Sequence, residues 1–194
     1  IGLKRVLELQ EGVDRGFGVY SGAKDTVLSQ AAPNSVLTTG ADTSGLLVDF
    51  PDSGVLNTSQ ALLRFESIFG NALGQVPAGA TITSASLFVQ INNQGDGATL
   101  HRMLTPWNDQ ADTWNTFGNA SNPRNNSGGV QADNLEANAI FDSQWNTPDA
   151  SGQSSTGFAS VAVTPDLRAW SAGGTNLGWL MNPWSGGTDG WAFS

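Results

Sequence analysis

The chain predicts an all-β fold, an antiparallel β-sandwich with one short helix near residues 165–172, and three observations carry that prediction. Several short runs alternate apolar with polar residues, Gly, Asn and Pro punctuate them, and a single stretch carries helix signals. At 194 residues the chain suits one domain and is long enough to bury about 70% of its unfolded surface.

Taken in order, residues 1–24 read as an N-terminal linker, in which Leu3, Val6, Leu7 and Leu9 favour a short strand over a helix. The β-sandwich domain then occupies residues 25–194, with Ala23 to Ser29 as its first strand and Pro33-Asn34 as the following turn. Leu46, Leu47 and Val48 form a brief strand inside an Asp-, Gly- and Ser-rich stretch. From Ala61 onward, Ala61, Leu63 and Phe65 share one face while Leu62, Arg64 and Glu66 share the other. The clearest strand is Thr83 to Ile91, with Ala85, Leu87, Val89 and Ile91 inward and Ser86, Phe88 and Gln90 outward.

A hairpin at Asn92 to Gly97 leads into Ala98 to Leu104, where period two sets Arg102 beside Leu100 and Leu104. Either a bulge shifts the register or the guanidinium meets a carboxylate, and a paired structural arginine is the reading adopted. Thr116 to Ser155 is long and rich in Asn, Ser and Gly, broken by Leu135 to Phe141 and by Trp145. Phe158, Val161 and Val163 then end a β-type run, and Thr164-Pro165 start the helix: a hydroxyl for an orphan amide and a ring with φ preset. Gly173 and Gly174 stop it; Leu177, Trp179 and Met181 alternate with Gly178 and Leu180 as the next strand, setting Trp170 beside Trp179. Trp191 to Phe193 is the last strand.

The run Val163-Thr164 through Ala169-Trp170, then Asn176 to Leu180, resembles the late segment of the DNRLRE (disaggregatase-related) domain family. Ala61 to Phe65, Pro77 to Leu87, Trp107-Asn-Asp109 and Thr113-Trp-Asn115 agree in the same order, so the likeness runs from about Asp25 to the C-terminus. Two stretches, near Thr39 to Ser59 and Phe117 to Ser155, match poorly and look like insertions. The resemblance implies a jelly-roll and a place in secreted or cell-surface, multi-modular proteins. Some such domains are carbohydrate-binding modules of polysaccharide-degrading enzymes, with the uronate alginate among their ligands.

Composition narrows the function classes. Charged residues are 13% of the chain and the net charge is −9, with no lysine past Lys24. A sequence-independent nucleic-acid binder needs a basic stripe, so nucleic acid is not expected as a partner. No apolar run is long enough for a membrane span. The absence of cysteine removes disulfides and thiolate chemistry. The chain begins at Ile1 without a signal peptide, as a processed or excised piece of a longer protein would.

Catalytic patterns are sparse. His101 reads as a half-exposed sheet residue, since a base needs an orienting partner that the sequence does not reveal. No G-x-S-x-G elbow, phosphate-binding Gly loop or H-E-x-x-H occurs. A glycosidase-type carboxylate pair stays open among Glu66, Asp109, Asp112, Glu136 and Asp142, although turn aspartates commonly cap their own backbone. A jelly-roll lyase would need a Tyr, His and Lys or Arg trio, which Tyr20 and His101 supply poorly.

Binding patterns are richer. Aromatic rings stack on the C–H faces of sugars while amides, carboxylates and guanidinium groups take the hydroxyls. Trp107, Trp114, Trp170 and Trp179 match the family pattern and are expected to plug the sandwich. Trp145 and Trp184, among loop residues, and Trp191, at the start of the last strand, are the candidate ligand contacts. Arg64 with Phe88 and Gln90 is expected to seed one patch, and Arg124 a second. Asp25, Asp42 and Asp189 are candidate ligands for a structural calcium, as jelly-roll binding modules often hold, although no EF-hand-type loop is present. The expected function is a non-catalytic extracellular module that binds a polysaccharide, alongside other domains of a parent chain. The rival is a structural spacer or adhesion domain without a sugar site.

Overall fold

The computed structural model describes residues 4–38, 45–51, 57–117, 127–145, 157–187 and 189–194. Among the described residues, nine strands and one helix follow in the order β1 (Ala23–Ser29), β2 (Leu46–Val48), β3 (Ser59–Phe65), β4 (Ser86–Asn93), β5 (Ala98–Arg102), β6 (Ser143–Trp145), β7 (Gly157–Ala162), α1 (Thr164–Ser171), β8 (Trp179–Pro183) and β9 (Trp191–Phe193). They form a five-stranded sheet, ordered β1-β3-β8-β5-β6, and a four-stranded sheet, ordered β2-β9-β4-β7. Every pairing between these strands is antiparallel.

The pairings nest. β5 lies beside β6, β4 beside β7, β3 beside β8 and β2 beside β9. A long hairpin rolled over two layers gives this order, which is the jelly-roll, with β1 added at the edge beyond β3.

Alternation decides what each layer buries. Ala61, Leu63, Leu100, Trp179 and Met181 from the larger sheet meet Leu87, Val89, Ile91, Val161, Trp191 and Phe193 from the smaller one in the main core. The opposite face of the larger sheet is also covered, because Leu28, Leu62, Met103 and Leu180 pack under a lid built from Trp107, Phe117, Val130 and Ala137. The larger sheet is therefore covered on both faces, the outer one mixing these apolar residues with buried Gln60, Thr99 and His101. Gly178 sets the switch between them: its φ of 74° and the nearness of the Leu63 carbonyl leave no room for a Cβ. Leu177 consequently joins the outer cluster with Leu180, rather than continuing the inward row of Trp179 and Met181.

The helix begins one residue earlier than expected and is capped differently. Val163 is the cap residue and makes no side-chain capping bond. The Thr164 hydroxyl instead accepts from the Ala85 amide at 2.9 Å, tying the helix start to the irregular segment just before β4. Pro165 sits in the first turn, where its missing N–H costs nothing. Trp170 leans on Trp179, ring centres 4.8 Å apart.

The expected strand in the N-terminal segment is absent from residues 4–10, which are irregular. Two isolated bridges follow, Glu11 to Tyr20 and Asp14 to Val19. Asp14 Oδ1 accepts from the amides of Gly16, Phe17 and Gly18, which closes the turn without a ladder. Tyr20 docks this segment on the domain by donating to the Glu66 carbonyl at 2.7 Å and stacking on Phe65.

Candidate functional site

β4 and β7 build an open face on the smaller sheet. Leu87 pairs with Val161 and Val89 with Ala159 toward the core, so the intervening pairs point outward: Ser86 with Ala162, Phe88 with Ser160, and Gln90 with Phe158. Phe88 is 64% exposed and Phe158 74%. The two rings stand on one diagonal of this four-residue square, and Gln90 and Ser160 stand on the other. β4 is paired on both sides, with β7 and with β9, and its Gln90 backbone exchanges two hydrogen bonds with Ser194, while β7 is the edge strand of the sheet. Two phenyl rings are thus left largely in water on one face of this sheet.

Sequence reading identified Phe88 and Gln90 as outward but counted Phe158 with Val161 and Val163. Period two separates Phe158, Ser160 and Ala162 from Ala159, Val161 and Val163, and that signal was sufficient to place Phe158 outside.

Arg64 does not join Phe88 and Gln90, which corrects the patch expected of them. It lies on β3 in the other sheet, ion-paired to Glu66 at 2.6 Å, with its guanidinium 4.9 Å from the Trp107 ring centre. Trp145 and Trp191 are also corrected: both rings are enclosed, 5.6 Å apart, within the main core. Trp145 belongs to β6, where it pairs with Ala98, and Trp191 pairs with Val48, so each occupies an inward register position. Trp184 is half-buried after β8; its indole donates to the Trp145 carbonyl at 3.3 Å and its ring meets Phe141 edge-on. Arg124 and Asp42 lie outside the described residues.

The remaining candidate calcium ligands have different neighbours. Asp25, on β1, has its carboxyl raised above the usual value by burial first and then by Asp109 and Glu11, with Lys24 acting the other way. Asp189 precedes β9, where its amide and carbonyl bond to Asp96. Among the described residues, no group of three or more His, Asp or Glu is placed to hold a metal ion.

His101 is 5% exposed, not half-exposed, because the lid segment reaches across β5. Its Nδ1 donates to the Asn138 carbonyl at 2.8 Å, and Nε2 lies 3.0 Å from the Thr99 hydroxyl. Burial pushes the imidazole below its ordinary value, against smaller opposing effects of Asn138 and Asp142. The Tyr20 hydroxyl is driven upward by burial and by Glu11 and Glu66.

Arg102 does find a carboxylate, Asp166 of the helix, at 3.7 Å. One concavity of about 230 Å³ lies under the N-terminal segment, lined by Leu7, Val13, Phe17, Tyr20, Leu73 and Gln75 among others. Arg15 at its wall is engaged by Glu8 and Gln10.

Comparison with protein-family models, with curated proteins and with solved structures finds no match to this chain.

Proposed function

We propose that this chain is a non-catalytic carbohydrate-binding module, and that it takes a polysaccharide on the outer face of β4 and β7. The observation that carries the reading is the exposed square of Phe88, Phe158, Gln90 and Ser160 on the paired strands β4 and β7. A pyranose ring laid on a phenyl face brings its C–H groups against the negative π-cloud, while a neighbouring amide and hydroxyl exchange hydrogen bonds with the sugar's own hydroxyls. Both kinds of partner occur here within two residues of each other. Preorganisation helps, because a strand-borne ring loses less freedom on binding than a loop-borne one. The resemblance to DNRLRE domains agrees with this role, and with a secreted or cell-surface setting as one module of a longer chain.

The test is affinity gel electrophoresis of the chain against a panel of acidic and neutral polysaccharides, with the double variant Phe88→Ala, Phe158→Ala run alongside. Retardation of the wild type by at least one polymer, lost in the double variant, is the expected result. A wild type that migrates freely in every polymer favours the spacer role instead.

A further inference from the structure

Resting on the reading of this face as a sugar site, we infer that its ligand class is an uncharged, extended, β-1,4-linked polysaccharide of glucose- or xylose-type rings, lying along the line from Phe88 to Phe158.

Charge argues first. The exposed positions of β4 and β7 are Ser86, Phe88, Gln90, Asn92, Asn93, Gly157, Phe158, Ser160 and Ala162, and none of them is ionisable. A uronate chain carries one carboxylate per sugar and would meet a protein of net charge −9 with no cation on the contact face to offset the repulsion. Among the described residues, no arginine or lysine stands on these two strands. Arg64 is held by Glu66 on the opposite sheet, Arg102 by Asp166, and Arg168 donates to the carbonyls of Ile82 and Thr83. Gln90 and Ser160 are neutral groups that both donate and accept, the chemistry that a sugar hydroxyl needs.

Shape argues second. Diagonal positions across an antiparallel pair lie about 7–8 Å apart, so a sugar chain laid along that line can meet both phenyl rings with successive units. Both rings rise from the same face of one sheet, so the units that meet them must present their faces in nearly one plane. A β-1,4-linked backbone does this, being a flat ribbon, whereas an α-linked helical glucan turns successive faces away. Glucose and xylose rings with all substituents equatorial leave both ring faces as bare C–H, so every unit of such a chain can meet a phenyl whichever face it turns to the sheet. The inferred contact is thus two stacked units flanked on opposite edges by Gln90 and Ser160.

The experiment is isothermal titration of the chain with cellohexaose, xylohexaose, cellobiose and an alginate hexamer, each at low and at high NaCl. Variants Phe88→Ala, Phe158→Ala and Phe158→Leu are titrated in parallel, the last keeping apolar bulk without a ring. The expected result is binding of cellohexaose or xylohexaose that does not change with salt, since no ion pair is there to screen. Cellobiose, which supplies the two stacked units, should bind in the same salt-independent way as the hexamers, and each ring deletion, including Phe158→Leu, should weaken the hexasaccharide by tenfold or more with the melting temperature unchanged. Alginate binding that fades with salt and depends on Phe158 overturns the ligand class while leaving the face as the sugar site. Hexasaccharide binding indifferent to all three variants overturns the site. Absence of binding to every probe overturns the sugar-binding role itself, and a dimer in size-exclusion chromatography that Phe158→Ala dissociates would assign the face to a second copy of the chain.

Discussion

The indole Nε1 of Trp179, on β8, donates to Oδ2 of Asp166, in α1, at 2.7 Å in the protein interior. Asp166 Oδ1 faces Arg102 at 3.7 Å, so one buried carboxylate joins the helix to two neighbouring strands of the larger sheet. Burial raises its carboxyl above the ordinary value; the indole bond and Arg102 pull it down, and Asp142 pushes it up. The folded chain therefore holds this proton more tightly than the unfolded chain, and the group's contribution to stability falls as pH rises from 3.8 through the folded value. Asp166→Ala strands the indole N–H and should cost about 1–3 kcal/mol in urea unfolding. Asp166→Asn can still accept that bond and should cost less, and its Tm should gain on the wild type as pH rises above 3.8, because Asn does not titrate.

His101 works in the opposite sense. Its folded value lies below 6.5, so the unfolded chain takes up the proton first and stability is lost as pH falls beneath that point. His101→Gln keeps an N–H able to reach Asn138 and removes the titration. Thermal melts across this range should show the wild type losing Tm toward acid more steeply than His101→Gln, the difference closing near neutral pH. Parallel curves would mean that the imidazole is solvated.

Strand positions were legible where period two ran uninterrupted, as in β3 and β4, and the paired state of Arg102 followed from its place among leucines. What the sequence hid was which sheet each strand joins. Arg64 and Phe88 are near in sequence, yet the roll sends β3 and β4 to opposite layers, and no local pattern records that. Trp145 and Trp191 misled for a related reason. Each sits in a three-residue strand, too short for alternation to show, so loop-like neighbours concealed inward register positions. The second apolar cluster was equally hidden, because its lid is irregular chain and only tertiary contact reveals which residues face the sheet. Phe158, by contrast, was readable.

The enclosed and exposed rings should respond oppositely to deletion. Trp191→Ala and Trp145→Ala each empty a large volume of the main core and should cost about 3–5 kcal/mol. Phe88→Ala and Phe158→Ala remove rings that touch mostly solvent and should stay within about 0.5 kcal/mol of the wild type. Chemical denaturation of the four variants checks the contrast. A large loss for Phe158→Ala would mean that its ring is packed rather than presented.

Gln60 stitches the lid to the larger sheet through Val130. Its Oε1 accepts from the Val130 amide at 2.8 Å and its Nε2 donates to the Val130 carbonyl at 2.9 Å, so the side-chain amide imitates a strand neighbour. The same Nε2 also reaches Asn182 Oδ1 on β8 at 2.8 Å. Gln60 and Val130 are both buried, so water does not replace these bonds when they are cut. Gln60→Ala should cost about 1–3 kcal/mol, and Gln60→Glu should be costly too, because a buried carboxylate would face the Val130 carbonyl with no proton to give. The sharper readout is hydrogen exchange. The Val130 amide, protected in the wild type, should exchange far faster in Gln60→Ala, while amides of β4 and β7 on the other layer keep their protection. Unchanged exchange at Val130 would show that the lid is held by the apolar contacts of Phe117, Trp107 and Leu180 alone.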